Sequence, residues 1–373
     1  MGTVHAPQQP NGPPPEIDPK LLSLRRNPPN LNIVQACFES PGRGNEGADT
    51  IEALQKVKMA TPRAEGPRIL CMVYTISTSA DRVQAIAETW GPSCDGFLAL
   101  SNHSNRRLGI IQLPRDGVHE YSIVWQKVRN ALLYVFQYHL TSFDYFHICG
   151  DDTYVLVENL RQYLHQRGTR DGIVEYLGAP YLYTPVIPRH ARERVEAHPS
   201  GKRDDIWTNP KPFPRSTLLC GGGPGYTLNR AAVAVLGKAL QWCFANSTSP
   251  AEDMYIGRCL WVYAGVQGCM DTRDGTGAWR YHQLGADFQY QYGKNIRVAI
   301  WRPNALMSKH GIFSKHGLDG ISESSVAFHL KRMKYHDGYS FLLQTGLDPV
   351  PSLLRRYHVI LHRSCGNVSS PVP

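Results

Sequence analysis

The sequence predicts an α/β fold, a mostly parallel sheet flanked by helices. Two observations carry this expectation. PRILCMVYTIS (67–77) and FDYFHIC (143–149) are short apolar runs with a β-branched and aromatic bias, bounded by polar residues or proline, and read as buried strands. Between and after them stand longer segments of helical periodicity, so strand and helix alternate, as in a sheet with crossover helices.

The elements follow in order. The first sixty-six residues, with PQQPNGPPPEIDP and RNPPNLN, read as a Pro/Gly-rich tail or stem-like region. IEALQKVKMA (51–60) is a short helix within it. After the strand at 67–77, ADRVQAIAETW (80–90) reads as a helix, and DGFLALS (95–101) and LGIIQL (108–113) as strands. YSIVWQKVRNALLYVFQYHL (121–140) is the clearest helix, with Trp125, Val128, Leu132, Val135, Phe136 and His139 on one face. YVLVENLRQYLHQ (154–166) reads as a helix, and IVEYLGAPYLYTPV (173–186) as strands. Residues 191–205 read as an exposed loop. LLCGGGPGYTLNRAAVAVLGKALQWC (218–243) is a glycine-rich turn running into a helix, and AEDMYIGRCLWVY (251–263) is another helix. The main domain is expected to span 67–345, with 346–373, including LLRRYHVILHR, forming a peripheral C-terminal helix and tail.

Composition narrows the function. A chain of 373 residues with 42% hydrophobic content can bury a sizeable core. Its net charge of +9 favours anionic partners, but the charge is dispersed and no nucleic-acid-binding motif or basic cluster is present. Anionic small molecules are the better expectation. The nine cysteines (Cys37, Cys71, Cys94, Cys149, Cys220, Cys243, Cys259, Cys269 and Cys365) include no CxxC pair. That argues against a zinc site and for a secretory protein with a few disulfides and an odd thiol left over. Glycosylation sequons at Asn102, Asn246 and Asn367 point the same way. No segment is apolar and long enough to span a membrane, and no signal peptide opens the chain.

Asp151 and Asp152 follow FDYFHIC, at the strand end where open α/β sheets bind ligands. Crowded carboxylates there suit a hard divalent cation and the diphosphate it binds. The plainer reading is an ordinary turn, in which aspartate accepts backbone hydrogen bonds. Context decides between them. RILCMVYTIS, the Trp90 before GPSC, Trp125, FDYFHICGDDTYVLVENL, CGGGPGYTLNRAA, EDMYIGRCL and SVAFHL occur in this order. Together, over roughly residues 67 to 340, they resemble the fringe-like family of inverting β-1,3-glycosyltransferases, most closely its core 1 β-1,3-galactosyltransferases.

The resemblance implies a GT-A type nucleotide-diphospho-sugar transferase fold, a Rossmann-like mixed sheet flanked by helices. It implies UDP-galactose as donor, Mn²⁺ as cofactor, and a glycoprotein acceptor bearing O-linked N-acetylgalactosamine. It also implies a type II Golgi membrane protein, whose anchor is expected but not seen in this chain, and it allows a homodimer. Asp152 and His329 match the metal ligands of the family, and Asp151 its middle motif residue. Gly150 stands where the family carries the first Asp of its Asp-x-Asp motif, a departure that bears on metal and ribose binding.

Asp253 matches the family's general base, with Glu252 in reserve or positioning the acceptor. Capping a helix N-terminus is the alternative for both. Gly222, Gly223 and Gly225 are expected to line the donor sugar with Tyr226 behind them, or to make a plain tight turn. Thr75 is expected to meet the nucleotide, as are, more weakly, Arg115, Asp116 and Gly117. Trp279, Tyr281, Phe288, Tyr290, Tyr292 and Trp301 divide between core and a sugar-stacking platform, with core the commoner fate. The resemblance further implies Cys71–Cys94 and Cys243–Cys259 disulfides. Two rival readings remain: a fringe-like transferase of another UDP-sugar, and a non-catalytic, chaperone-like relative, towards which Gly150 points and from which Asp151, Asp152, Asp253 and His329 point away.

Overall fold

The two apolar runs form adjacent strands at the middle of one sheet. The computed structural model describes residues 46–62, 65–113, 123–168, 172–182, 217–245, 249–286, 315, 317–330 and 348–362. Helix α1 spans Glu46–Gln55. Strand β1 (Ile69–Tyr74) leads into α2 (Ala80–Glu88), β2 (Gly96–Ser101) and β3 (Ile110–Gln112). Helix α3 (Val124–Tyr138) then returns the chain to β4 (Tyr145–Gly150). The principal sheet is six-stranded, in the order β3-β2-β1-β4-β9-β6, where β6 is Tyr176–Gly178 and β9 is Tyr226–Asn229. Strands β1 to β4 are parallel, and β9 runs antiparallel to both β4 and β6.

This order positions the site. The chain moves outward from β1 through β2 to β3, then crosses back to lay β4 on the other side of β1. That is a topological switch point, and the crevice at the carboxyl ends of such strands is where open α/β sheets bind ligands. Tyr74 of β1 is in register with Leu100 of β2 and Gly150 of β4, so the three strands end level.

Alternate residues of β1 feed two cores. Ile69, Cys71 and Val73 face one, and Leu70 and Met72 the other. The second core holds α3, α5 (Arg230–Ala239) and α6 (Glu252–Ala264). Trp125, Val128, Leu132 and Val135 of α3 are fully buried in it, while Phe136 and His139 are part-buried at its margin. The first core takes α1, α2, α4 (Val157–Arg167) and α7 (Val350–Leu361).

Several elements depart from the local reading. Helix α1 starts at Glu46, five residues ahead of the expected 51. Where a helix is expected from residue 154, Thr153–Val155 form strand β5, and α4 begins only at Val157. The strand exists because β11 (Ala327–His329) pairs antiparallel with it, His329 opposite Thr153 and Phe328 opposite Tyr154. With β10 (Tyr281–His282) these make a second, three-stranded sheet. The glycine turn does not enter a helix directly: β9 intervenes, and the Asn229 side chain then caps α5 by accepting from the Ala232 N–H at 2.9 Å. The turn is preceded by β8 (Leu218–Cys220), which pairs antiparallel with β7 (Pro180–Leu182). The loop expected at 191–205 lies outside the described residues.

Packing draws segments on both sides of 67–345 into the core. Ala53 and Leu54 of α1 are buried, and α7 buries Val350, Leu354, Tyr357 and Leu361 against the first core. The 346–373 segment thus contributes a packed helix where a peripheral one is expected. The Tyr357 hydroxyl accepts from the Ala286 N–H in the interior at 2.7 Å.

Three disulfides brace the described residues. Cys71–Cys94 and Cys243–Cys259 are the expected pairs, and Cys220–Cys269 is a third that spacing alone could not specify. Cys149 is free and buried, and Cys37 and Cys365 lie outside the described residues. No helix among the described residues is long and apolar enough to cross a membrane.

Leu354 is wholly buried at the junction of α7 with the sheet. Leu354→Ala is expected to cost about 2–4 kcal/mol in denaturant unfolding, the range for a buried Leu cut to Ala. A change of under ~0.5 kcal/mol, the size typical of surface substitutions, would mean that α7 lies outside the cooperative unit.

Candidate functional site

Two acidic pairs meet at the carboxyl ends of β1 and β4. The first is the turn between β4 and β5. Both oxygens of Asp151 are taken: Oδ1 accepts from Arg82 Nη1 at 2.8 Å, and Oδ2 accepts from the Thr75 hydroxyl at 2.6 Å. Burial pushes the Asp151 carboxyl up to about 6 against the pull of Arg82, with the neighbouring Asp152 charge adding to the rise.

Asp152 faces the other way. Its Oδ2 lies 3.3 Å from Nε2 of His329, whose Nδ1 lies 3.0 Å from the Gln283 carbonyl. A carbonyl only accepts, so this contact makes Nδ1 the donor and turns Nε2 towards the Asp152 carboxylate. Burial works against charge on Asp152, but the His329 contact and the field of Arg82 hold its carboxyl below the ordinary range. The backbone enforces the pairing, since the Leu330 N–H donates to the Asp152 carbonyl at 2.8 Å. Both side chains keep access to solvent, 25% for Asp152 and 14% for His329.

The second pair opens α6. The Glu252 side chain is buried, and its Oε1 accepts from the Tyr74 hydroxyl at 3.2 Å. Asp253 accepts from two backbone N–H groups, Gly222 at 2.8 Å and its own neighbour Met254 at 2.8 Å. Burial raises both carboxyls, Glu252 well above its usual value, where the Asp253 charge adds to the effect. The backbone donors to Asp253 counter the rise there, so Asp253 carries the charge of the pair more readily.

The glycine turn joins the pairs. A Cβ on Gly222 would collide with Glu252 Oε1, and one on Gly223 would lie 2.6 Å from His329 Nδ1. The Gly223 carbonyl accepts from the Thr153 hydroxyl at 2.8 Å, which ties the turn to β5. Gly225 has φ +77° and approaches the Ile148 carbonyl of β4, so a Cβ there would sit 2.5 Å from that oxygen. Only glycine satisfies both the left-handed backbone and that approach. Tyr226 stands behind the turn, fully buried and edge-on to Tyr176.

The structure therefore brings Asp151, Asp152, His329, Glu252, Asp253 and the three glycines to one edge of the sheet. Thr75 is there too, but its hydroxyl is engaged by Asp151 and its carbonyl by the Lys127 ammonium. The Gly222 N–H is likewise engaged by Asp253. Arg115, Asp116 and Gly117 lie outside the described residues, as do Phe288, Tyr290, Tyr292 and Trp301. Tyr281 is buried with its hydroxyl 2.9 Å from the Thr227 hydroxyl, and Trp279 is part-buried under the Arg273 guanidinium. Arg82, Tyr74 and Gln283 complete the site without having been expected. Arg82 left a signal in the sequence: a cation in the first turn of a helix opposes the helix dipole and calls for a compensating acid.

Among the described residues, no group of three or more His, Cys, Asp or Glu is gathered so as to hold a metal ion. The candidate set is the pair Asp152 and His329. Their 3.3 Å separation is one that two ligands of a single ion with bonds of about 2.1 Å can span, and carboxylate oxygen with imidazole suits Mn²⁺. A Cβ on Gly150 would lie 2.8 Å from Asp152 Oδ1, so a carboxylate at 150 would displace the present Asp152 position.

No protein-family model matches the chain. A curated protein of Xenopus laevis, glycoprotein-N-acetylgalactosamine 3-beta-galactosyltransferase 1, is 24% identical over 208 residues. The match takes in 56% of this chain and 48% of that protein, so the chain spans about half the length of the relative. The likeness relates the chain to glycosyltransferases. The mixed sheet flanked by helices, with its acidic turn at the switch point, is consistent with the GT-A type.

The buried acids make stability depend on pH. The folded-state carboxyl of Glu252 is raised above its unfolded value near 4.5, so the native state holds a proton that the unfolded state releases. The Glu252 contribution to stability is therefore greatest below that pH and is lost as pH rises through the elevated folded value. Glu252→Gln removes this loss. The variant is expected to match or exceed the wild type in denaturant unfolding near pH 7, by about 1.4 kcal/mol per unit of elevation removed. The two should converge towards pH 4. A variant less stable near pH 7, by a margin that narrows towards pH 4, would show that the carboxylate is held as an anion.

Proposed function

We propose that the chain is an inverting β-1,3-galactosyltransferase that moves galactose from UDP-galactose to the 3-hydroxyl of O-linked N-acetylgalactosamine on glycoproteins. The observation that carries this is the meeting of the two acidic pairs at one glycine turn, in a chain related to a galactosyltransferase. In one pair Asp152 is partly open and linked to His329, as a diphosphate-bound cation requires. The other is buried and of raised affinity for protons, as a base acting near neutral pH requires.

Asp152 and His329 would hold Mn²⁺ against the donor diphosphate. A divalent ion there neutralises the charge that develops on departing UDP. Asp253 takes the proton from the acceptor 3-hydroxyl. The freed oxygen attacks the anomeric carbon as the bond from that carbon to the UDP oxygen breaks, which inverts the configuration. Asp253 is preferred to Glu252 as base because the Gly222 and Met254 N–H groups favour its anion, whereas burial and the Asp253 charge raise Glu252 well above its usual value and leave it to position the acceptor. Gly223 borders the donor and Gly222 the acceptor side of the same turn. In this reading the protein works in the Golgi lumen.

The reading is tested by calorimetric titration of UDP with and without Mn²⁺, followed by a screen of UDP-sugars. Metal-dependent UDP binding is expected in the wild type and is expected to be lost in Asp152→Ala and His329→Ala. Asp253→Asn should bind UDP normally yet lose about 100-fold or more in transfer rate, the scale of a missing general base. A preference for another UDP-sugar would move the chain to the fringe-like alternative. Folded protein that binds no UDP under any metal condition would sink the enzyme reading in favour of a chaperone-like one.

A further inference from the structure

We propose that Arg82 is a positioning residue that holds Asp151 out of the cation site, so that Asp152 and His329 are left as its protein ligands. The inference rests on the donor site described under the proposed function. Adjacent carboxylates on one turn can act jointly on a cation or be separated. Here they are separated. Asp151 has one oxygen on the Arg82 guanidinium and the other on the Thr75 hydroxyl, while Asp152 points to His329.

Arg82 is itself fixed from two sides. Its Nη1 meets Asp151, and its Nε meets the Asp348 side chain. Asp348 in turn accepts from the Val350 N–H at 3.1 Å, at the start of α7. A guanidinium is suited to this, because its planar fork offers separate donors in fixed directions and stays charged when half-buried. Burial opposes its charge, yet Asp151 and Asp348 together make Arg82 hold its proton more firmly than usual. The arrangement costs the turn one potential ligand. It also places a fixed positive charge beside the diphosphate position, where Gly150 supplies no carboxylate.

The consequence has a distinctive sign. Removing a residue that merely braces the turn should loosen any cation site built on it. Removing one that withholds a carboxylate and repels a cation should tighten it. The test is calorimetric titration of Mn²⁺ alone into the full chain near neutral pH, with folding checked by circular dichroism. Arg82→Met is expected to bind Mn²⁺ more tightly than wild type by on the order of fivefold or more, given the loss of a unit charge at close range. Adding Asp151→Asn to that variant should return the affinity to about the wild-type value. Arg82→Lys, which keeps the charge, should stay near wild type. Arg82→Gln keeps a hydrogen-bond donor without the charge and should tighten binding as the methionine variant does, which covers the case in which methionine prevents folding. Folded Arg82→Met or Arg82→Gln that binds Mn²⁺ no more tightly than wild type overturns the proposal. A wild type that binds neither Mn²⁺ nor UDP with Mn²⁺ overturns the donor-site reading, and this inference with it. Wild-type binding with unmoved variants overturns the inference alone.

Discussion

A carboxylate taken out of water is tolerated only where donors or cations surround it, and this constraint organises the whole ligand edge of the sheet. Four carboxylates lie within it, from two adjacent pairs. Each has a different solution. Asp151 has a guanidinium and a hydroxyl, and Asp152 an imidazole. Asp253 has two backbone N–H groups, and Glu252 a phenol. The backbone must deliver these partners from β1, α2, β11 and the glycine turn. The level ends of β1 and β4 make that delivery possible.

The turn at Gly222–Gly225 is where the constraint becomes steric. It passes between Glu252 on one side and His329 on the other, with no room for a Cβ at either of its first two positions. The Gly222 N–H is spent on Asp253. A glycine-rich turn before a helix invites the thought of a phosphate cradle, but here a donor that would face a phosphate faces a carboxylate. The turn acts first as a spacer and clamp between the acids. Cys220–Cys269 and the Thr153–Gly223 bond hold it on either side.

The acids were legible because each pair is adjacent in sequence, and an Asp-Asp after an apolar run or an Asp beside Glu at a helix start is a local signal. Their partners were not. Arg82 lies 69 residues from Asp151, and Tyr74 lies 178 residues from Glu252. His329, 177 residues from Asp152, was reachable only through the family likeness. The same division runs through the fold. Strands β1 and β4 and helix α3 announce themselves by composition and period. Strand β5 does not, because three residues that could begin a helix become a strand only when β11 pairs with them. Helix α7 reads as basic and peripheral from LLRRYHVILHR, yet Leu354 and Tyr357 on its inner face complete the first core. Local pattern specifies elements, whereas pairing over long separations decides the rest.

The two pairs also explain each other's asymmetry. If all four carboxylates carried full charge, neither β4 nor α6 could bring its pair so near the same turn without repulsion across it. Arg82 cancels one charge, His329 relieves a second, and burial beside the Asp253 charge raises the hold of Glu252 on its proton against the opposing Tyr74 contact. What remains is one carboxylate on each side that carries charge more readily than its neighbour, Asp152 towards the donor crevice and Asp253 in the first turn of α6. That is the separation a transfer reaction needs, with cation and leaving group at one end and proton acceptance at the other. Gly150 fits the same logic. Its Cβ position lies 2.8 Å from Asp152 Oδ1 and 3.3 Å from the Tyr74 ring, so the space that a further carboxylate would take is held by the two residues that keep the pairs apart.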